Sequence, residues 1–217
     1  MVIKKYLHSC ILIEEGGKRL LIDPGSLSFI EGKIEPKDIG QVDVVIFTHK
    51  HQDHYYPEVL KDFMGTDTKI VSSAEIAVLL KQDGFSAEIA SEGEELDIAG
   101  FKIKPLRAPH ERIPTEIPHN FAYLINNSFL HTGDSLSVFG AGYAKVLALP
   151  VAGPWNKLSE ALDFAIKLKP RIVIPIHDAI IKDFFLDRIY NYMCKPVLAK
   201  EGIEFKPLAL GEEIEVQ

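Results

Sequence analysis

The sequence predicts an α/β protein with sheets inside and helices outside. Three observations carry this reading. The runs "VDVVIF", "KVLALPV" and "RIVIPI" are almost wholly apolar and rich in Val, Ile and Leu, as strands covered on both faces are. Segments with apolar residues every three or four positions follow such strands, so helices pack over them. No linker or low-complexity stretch divides the 217 residues, which reads as one domain over residues 1–217.

The elements follow in order. "VIKKYL", "CILIEE" and "RLLIDPG" read as strands, the last two joined by a tight hairpin at "EEGGKR". "VDVVIF" is a buried strand and "KIVSS" a short one. "SAEIAVLLKQDG" has helical spacing and ends on Gly. The second half repeats this grammar. "EELDI", "FKIKPL", "FAYLI" and "SFLHTGD" read as strands joined by short turns. "KVLALPV" is a buried strand, "KLSEALDFAIKLK" an amphipathic helix closed by Pro170, and "RIVIPIHD" another buried strand. "AIIKDFFLDRIYNYMC" reads as a helix, and "IEFKPLALGEEIEV" as a closing pair of strands.

Composition narrows the class. With 47% hydrophobic and 25% charged residues the chain can bury a sizeable core. A formal net charge of -7 argues against a broad basic surface for nucleic acid or anionic membrane. The opening "MVIKKYLHSC" lacks the long apolar run of a secretory signal, and no stretch has the length of a membrane span. These features predict a soluble, cytoplasmic protein. Cys10 and Cys194 belong to no CxxC pair and read as buried free thiols in a reducing compartment.

Candidate ligands share one placement, just after an apolar strand. "FTHKHQDHYYPEVL" sets His49, His51, Asp53 and His54 directly behind "VDVVI". His110 follows "FKIKPLRAP", Asp134 follows "SFLHTG", and His177 follows "RIVIPI". Imidazole and carboxylate together suit zinc and similar divalent ions, and strand-end loops are where scaffolds present such groups. In a tight turn His49 and His51 can grip one ion, while the next bend carries Asp53 and His54 to a second. His49, His51 and His110 on one ion, Asp53, His54 and His177 on the other, with Asp134 between them, give about three protein ligands per ion plus an open position. Two metals roughly 3.5–4 Å apart can share a hydroxide and lower its pKa toward neutrality.

"THKHQDH" is an HxHxDH signature, and with it the chain resembles the metallo-β-lactamase-fold hydrolases over its whole length. "LLIDPG" is similar to the family's early strand-Asp-Pro-Gly turn, with Asp23 beside the metals. "APHERIP", "LHTGDS" and "IPIHDA" stand where the family carries its next histidine, its bridging aspartate and its last histidine. The resemblance implies a four-layer αββα sandwich with a dinuclear site at one edge, and the same seven ligands, Asp134 bridging. "YLHSCILIEEGGKRLLIDPG" resembles the opening of the branch related to ascorbate-6-phosphate lactonase, which places His8 near the pocket without assigning it a role. His51 stands where redox di-iron members carry Glu, which disfavours an oxidoreductase. At 217 residues, the chain is expected to lack the accessory domain of nucleic-acid-cleaving members.

Around these ligands, Thr48 and Ser135 are candidate donors that orient them. His119 competes with His110 as a ligand, and the "APHE" context assigns it instead to the pocket. His131, on a strand, reads as buried and hydrogen-bonded. Arg112, with Tyr55, Tyr56, Arg107, Trp155 and Lys157, is a candidate for lining a pocket that meets a phosphate or carboxylate. The expected function is hydrolysis of an ester, lactone or phosphodiester in a small anionic substrate, with Asp53 catalytic and two divalent ions as cofactors. Zinc leads over manganese, iron and nickel. The competing functions are a nucleotide or nucleic-acid phosphodiesterase and a metal-binding protein without turnover. A homo-oligomer is compatible with all three.

Overall fold

The computed structural model describes residues 1–216. Its strands are β1 (Val2–Lys5), β2 (Ile11–Glu15), β3 (Lys18–Ile22), β4 (Val42–Ile46), β5 (Met64–Ser72), β6 (Glu88–Ile89), β7 (Leu96–Ile98), β8 (Phe101–Arg107), β9 (Phe121–Ile125), β10 (Phe129–His131), β11 (Val146–Pro150), β12 (Ile172–Ile176), β13 (Glu204–Phe205) and β14 (Glu213–Glu215). The helices are α1 (Pro36–Ile39), α2 (Leu60–Phe63), α3 (Ala74–Gln82), α4 (Leu158–Leu168), α5 (Asp183–Arg188) and α6 (Lys195–Lys200).

The strands form two seven-stranded sheets, ordered β14-β1-β2-β3-β4-β5-β6 and β13-β12-β11-β10-β9-β8-β7. Each sheet is antiparallel in one part and parallel in the other. β3, β4, β5 and β6 pair in parallel in the first, and β10, β11, β12 and β13 in the second. The β2–β3 hairpin pairs Glu15 with Lys18 across Gly16 and Gly17, whose φ values of 58° and 76° are those of a two-residue turn with left-handed centres.

Alternation along the strands builds the layers, because successive side chains point to opposite faces. Ile13, Ile22, Val44, Phe101, Tyr123, Phe129, Ala148 and Ile174 meet between the sheets. Their neighbours Leu12, Leu21 and Val45 face outward and are covered by Ile39, Leu60, Phe63, Ile76 and Leu80 from α1, α2 and α3. On the other side Leu147, Leu149 and Val173 are covered by Ala161, Leu162 and Ala165 of α4 and Leu198 of α6. Helix, sheet, sheet and helix therefore make the four layers of an αββα sandwich. At roughly 25 cal/mol per Å² of apolar area, such fully covered strands are the main source of stability.

Two sequence expectations are corrected. The helix expected over "AIIKDFFLDRIYNYMC" starts only at Asp183, passes through a wide π-helical segment at Ile189–Cys194, and continues as α6 to Lys200. The expected closing pair of strands does not pair with itself. β13 joins β12 and β14 joins β1, so the end of the chain crosses from one sheet to the other. Both segments have ordinary strand composition, and partner choice is set by tertiary position.

Candidate metal centre

Ligand-type side chains converge where the parallel strands end. Asp23 follows β3, the "THKHQDH" loop follows β4, Asp134 follows β10 and His177 follows β12. Loops outside the carboxyl ends of parallel strands are where α/β folds place their sites.

Two groups form there. In the first, His49 Nε2 lies 2.9 Å from His51 Nδ1, and His110 Nε2 lies 3.2 Å from the same atom. Asp134 Oδ2 is 3.4 Å from His110 Nε2 and 3.8 Å from His49 Nε2. In the second, Asp53 Oδ2 lies 3.1 Å from His8 Nε2, 3.3 Å from His177 Nε2 and 3.9 Å from His54 Nε2. Asp134, of the first group, also reaches the second: its Oδ1 is 3.0 Å from His54 Nε2 and its Oδ2 is 3.3 Å from His177 Nε2. Each group has ligand atoms within 4.8 Å of one another.

Whether these groups fit divalent ions can be tested on the donors themselves. Imidazole nitrogens around a tetrahedral ion, at about 2.0–2.1 Å from it, stand about 3.3 Å apart, close to the spacings here. The outer nitrogens of His54, His49 and His110 are held so that their bare nitrogens point inward. His54 Nδ1 bonds Asp23 Oδ2 at 2.7 Å, which assigns the proton to Nδ1 and leaves Nε2 as a ligand atom. Thr48 Oγ1 donates to Asp23 Oδ2 (2.6 Å) and accepts from His49 Nδ1 (3.1 Å), with the same result for His49. His110 Nδ1 donates to the Glu111 carbonyl at 2.6 Å. The buried atoms His54 Nε2, His177 Nε2 and Asp134 Oδ1 make no hydrogen bond despite close neighbours. Buried polar atoms without partners are costly, and a cation between them would satisfy all three. The residues fit a pair of borderline divalent ions.

The groups depend on one another electrically. Burial alone would raise Asp53, but His54, His177 and His8 hold it well below the carboxylate range. Burial also opposes ionisation of Asp134, and His54, His177 and His49 likewise keep it anionic. Burial works against protonated His54 and His177, yet Asp134 and Asp53 raise both, His177 to about 9. His8 and His49 are lowered chiefly by burial, His8 to about 4.

Backbone geometry supports the centre. His8, Asp23 and His177 have φ of 59°, 50° and 62°, a left-handed conformation that is uncommon outside Gly and concentrates at functional sites. At Gly133, φ 57°, an added Cβ would lie 2.1 Å from Asn120 Oδ1. That Asn accepts from the Asp134 amide and donates to the Ala108 and Thr132 carbonyls, which fixes the turn carrying Asp134.

The remaining candidates fall outside the clusters. The Ser135 hydroxyl bonds residue 137 rather than a ligand. His119 is exposed, with its amide on Glu75 and its ring on Phe121. His131 is buried, its Nε2 donating to the Ser9 carbonyl and its Nδ1 accepting from the Gly133 amide. Arg112 is exposed. Trp155 stands 6.0 Å from the His110 ring and 5.4 Å from the His177 ring, as a wall beside both groups. Sequence reasoning left His8 without a role, and the structure adds it to the second group. Its only signal was the "HS" pair in a turn between two strands.

A two-sheet sandwich with paired His/Asp groups at one edge defines a class, the metal-dependent hydrolases of the metallo-β-lactamase fold. A match to the beta-lactamase superfamily domain spans residues 2–177, and the chain belongs to that superfamily. It is 33% identical to a Mycobacterium tuberculosis protein, over 83% of this chain and 85% of the relative. A Nanoarchaeum equitans protein named a metal-dependent hydrolase is 29% identical over 99% of this chain and 94% of its own length. The structure of a metallo hydrolase from Ignicoccus hospitalis superposes with a TM-score of 0.72 at 23% identity, covering 100% of both chains.

Proposed function

We propose that the protein hydrolyses an ester, lactone or phosphodiester bond in a small anionic substrate, with both ligand groups holding an ion and zinc the leading metal. The observation that supports this reading is the sharing of Asp134 between the two groups, at 3.0–3.8 Å from His54, His177, His110 and His49. When bound, the ions would lower the pKa of a water and stabilise negative charge developing on the scissile group.

The protein's own contributions follow from its geometry. Asp53 is 26% exposed, against 2% for Asp134, so it is the carboxylate that can meet both an ion and a reacting water. Its anionic state suits it to bind an ion and to orient that water by accepting a hydrogen bond from it. Arg112, two residues after His110, is exposed and has no ion-pair partner among the described residues, which suits it to an anionic group on the substrate. The opening "YLHSC", with its histidine in the second group, supports kinship with the branch related to ascorbate-6-phosphate lactonase. Two buried free thiols support a reducing, cytoplasmic setting. No helix among the described residues is long and apolar enough to cross a membrane.

The test is reconstitution with zinc, manganese, iron or nickel, followed by metal analysis and a screen of lactones, esters and bis-p-nitrophenyl phosphate. The reading expects close to two ions per chain and turnover on at least one class. Less than one bound ion per chain after reconstitution would sink it. Arg112→Ala should raise KM about tenfold on the anionic substrate found, with kcat little changed. Identical kinetics would remove Arg112 from the pocket.

A further inference from the structure

Lys5 and Asp178 form an ion pair buried to 4% and 5% exposure, apart from the ligand groups and without a part in the proposed chemistry. Lys5 Nζ is 2.9 Å from Asp178 Oδ2 and 3.1 Å from Oδ1, and also donates to the Tyr6 carbonyl at 3.2 Å. Tyr190, from the π-helical segment Ile189–Cys194, donates its hydroxyl to Asp178 Oδ2 at 2.6 Å. The carboxylate is thus held from both sides, by β1 of one sheet and by the helical layer over the other.

The location gives this trio its meaning. Lys5 closes β1 three residues before His8, and Asp178 directly follows His177. The His177 amide donates to the His8 carbonyl at 3.2 Å, their rings lie 4.1 Å apart, and both have left-handed backbones. Such conformations persist only where surrounding structure over-determines them. A bond between the chain beside His8 and the chain beside His177 supplies that constraint.

We propose that Lys5, Asp178 and Tyr190 form a positioning network for the second ligand group. It fixes the His8–His177 backbone pair so that both Nε2 atoms stay within 3.1–3.3 Å of Asp53. It rests on the two-ion reading. The plainer alternative is an ion pair that only ties the sheets together. The two separate cleanly, because the first group, His49, His51 and His110, shares no hydrogen bond with the trio among the described residues and serves as an internal control.

The experiment compares Lys5→Met, Lys5→Arg and Tyr190→Phe with the unaltered chain. Tyr190→Phe removes one hydroxyl and guards against a Lys5→Met protein that fails to fold. Zinc is titrated into metal-free protein against a chelating indicator, and His51→Ala identifies which step belongs to the first group. Hydrogen exchange of the His177 amide is followed in metal-free protein. The expected result is a loss of about 10–100-fold in the second step alone for Lys5→Met and Tyr190→Phe. The His177 amide should exchange faster in both, and Lys5→Arg should restore both properties in part. Unchanged second-step affinity and exchange in the two variants, or equal weakening of both steps, would overturn the network. A single zinc step in the unaltered chain would instead overturn the two-ion reading, and the His177 exchange rate would then decide the positioning role on its own.

Discussion

Asp23 and His54 are joined by a 2.7 Å bond between Oδ2 and Nδ1, with both side chains fully buried. The same carboxylate receives the amide and hydroxyl of Thr48, so one residue orients His54 directly and His49 through Thr48. One carboxylate therefore reaches a ligand in each group.

Replacing Asp23 tests that reach. Asn keeps the volume and tolerates the left-handed backbone, φ 50°, but loses the charge. Asp23→Asn should weaken zinc binding in both steps by about 10–100-fold, with secondary structure retained. Chelator competition on metal-free protein measures it. Wild-type affinity would mean that Asp23 only braces the loop.

His8 makes a narrower prediction. It contributes Nε2 to the second group alone, so His8→Asn, which also tolerates φ 59°, should spare the first step. After dialysis against dilute chelator we expect about one ion per chain rather than two. Metal analysis by mass spectrometry reads the result, and full retention of both ions would exclude His8 as a ligand.

The contrast between His54 and His8 shows what was legible in the sequence. The loop at 49–54 concentrates its ligands behind one apolar strand, so local pattern exposes them. His110, Asp134 and His177 stand singly but repeat the same strand-end placement. His8 also follows a strand, yet "VIKK" is only half apolar and belongs to the outer antiparallel part of its sheet. Its route to Asp53 depends on a turn whose left-handed backbone no composition signals. The same limit separates β13 from β14. Each is short and amphipathic, and only the core contacts of the finished sandwich decide which sheet it joins.

The thiols offer a check on the layers rather than the site. Cys10 and Cys194 are free and buried, and burial pushes both thiols up, Cys194 to about 12. The thiolate is the reactive form, so neither should react with Ellman's reagent at pH 8 in the folded protein. Denaturation should release two thiols per chain, matching the sequence. Rapid labelling of either one before denaturation would show that its layer opens readily.

Gly25 carries the sharpest steric prediction. A Cβ at this position would lie 1.9 Å from the Asp53 carbonyl oxygen and 2.4 Å from the His54 amide nitrogen. These are backbone atoms of the ligand loop, so no side-chain rotation relieves the clash. The neighbouring Ser26 amide also bonds the Gln52 carbonyl at 2.8 Å, which docks the segment against that loop. Gly25→Ala must therefore displace Asp53 and His54 or the Asp23–Gly25 turn. Overpacking of this kind costs about 1–3 kcal/mol, or a Tm lower by roughly 3–10 °C in a chain of this size. The second zinc step should weaken with it. Gly65→Ala is the control, since its Cβ would meet only side-chain atoms, the end of Gln41 at 3.3 Å and Thr68 Oγ1 at 3.8 Å. Calorimetry and zinc titration of the two variants side by side give the answer: equal Tm and equal metal content would show that the ligand loop yields to the added methyl.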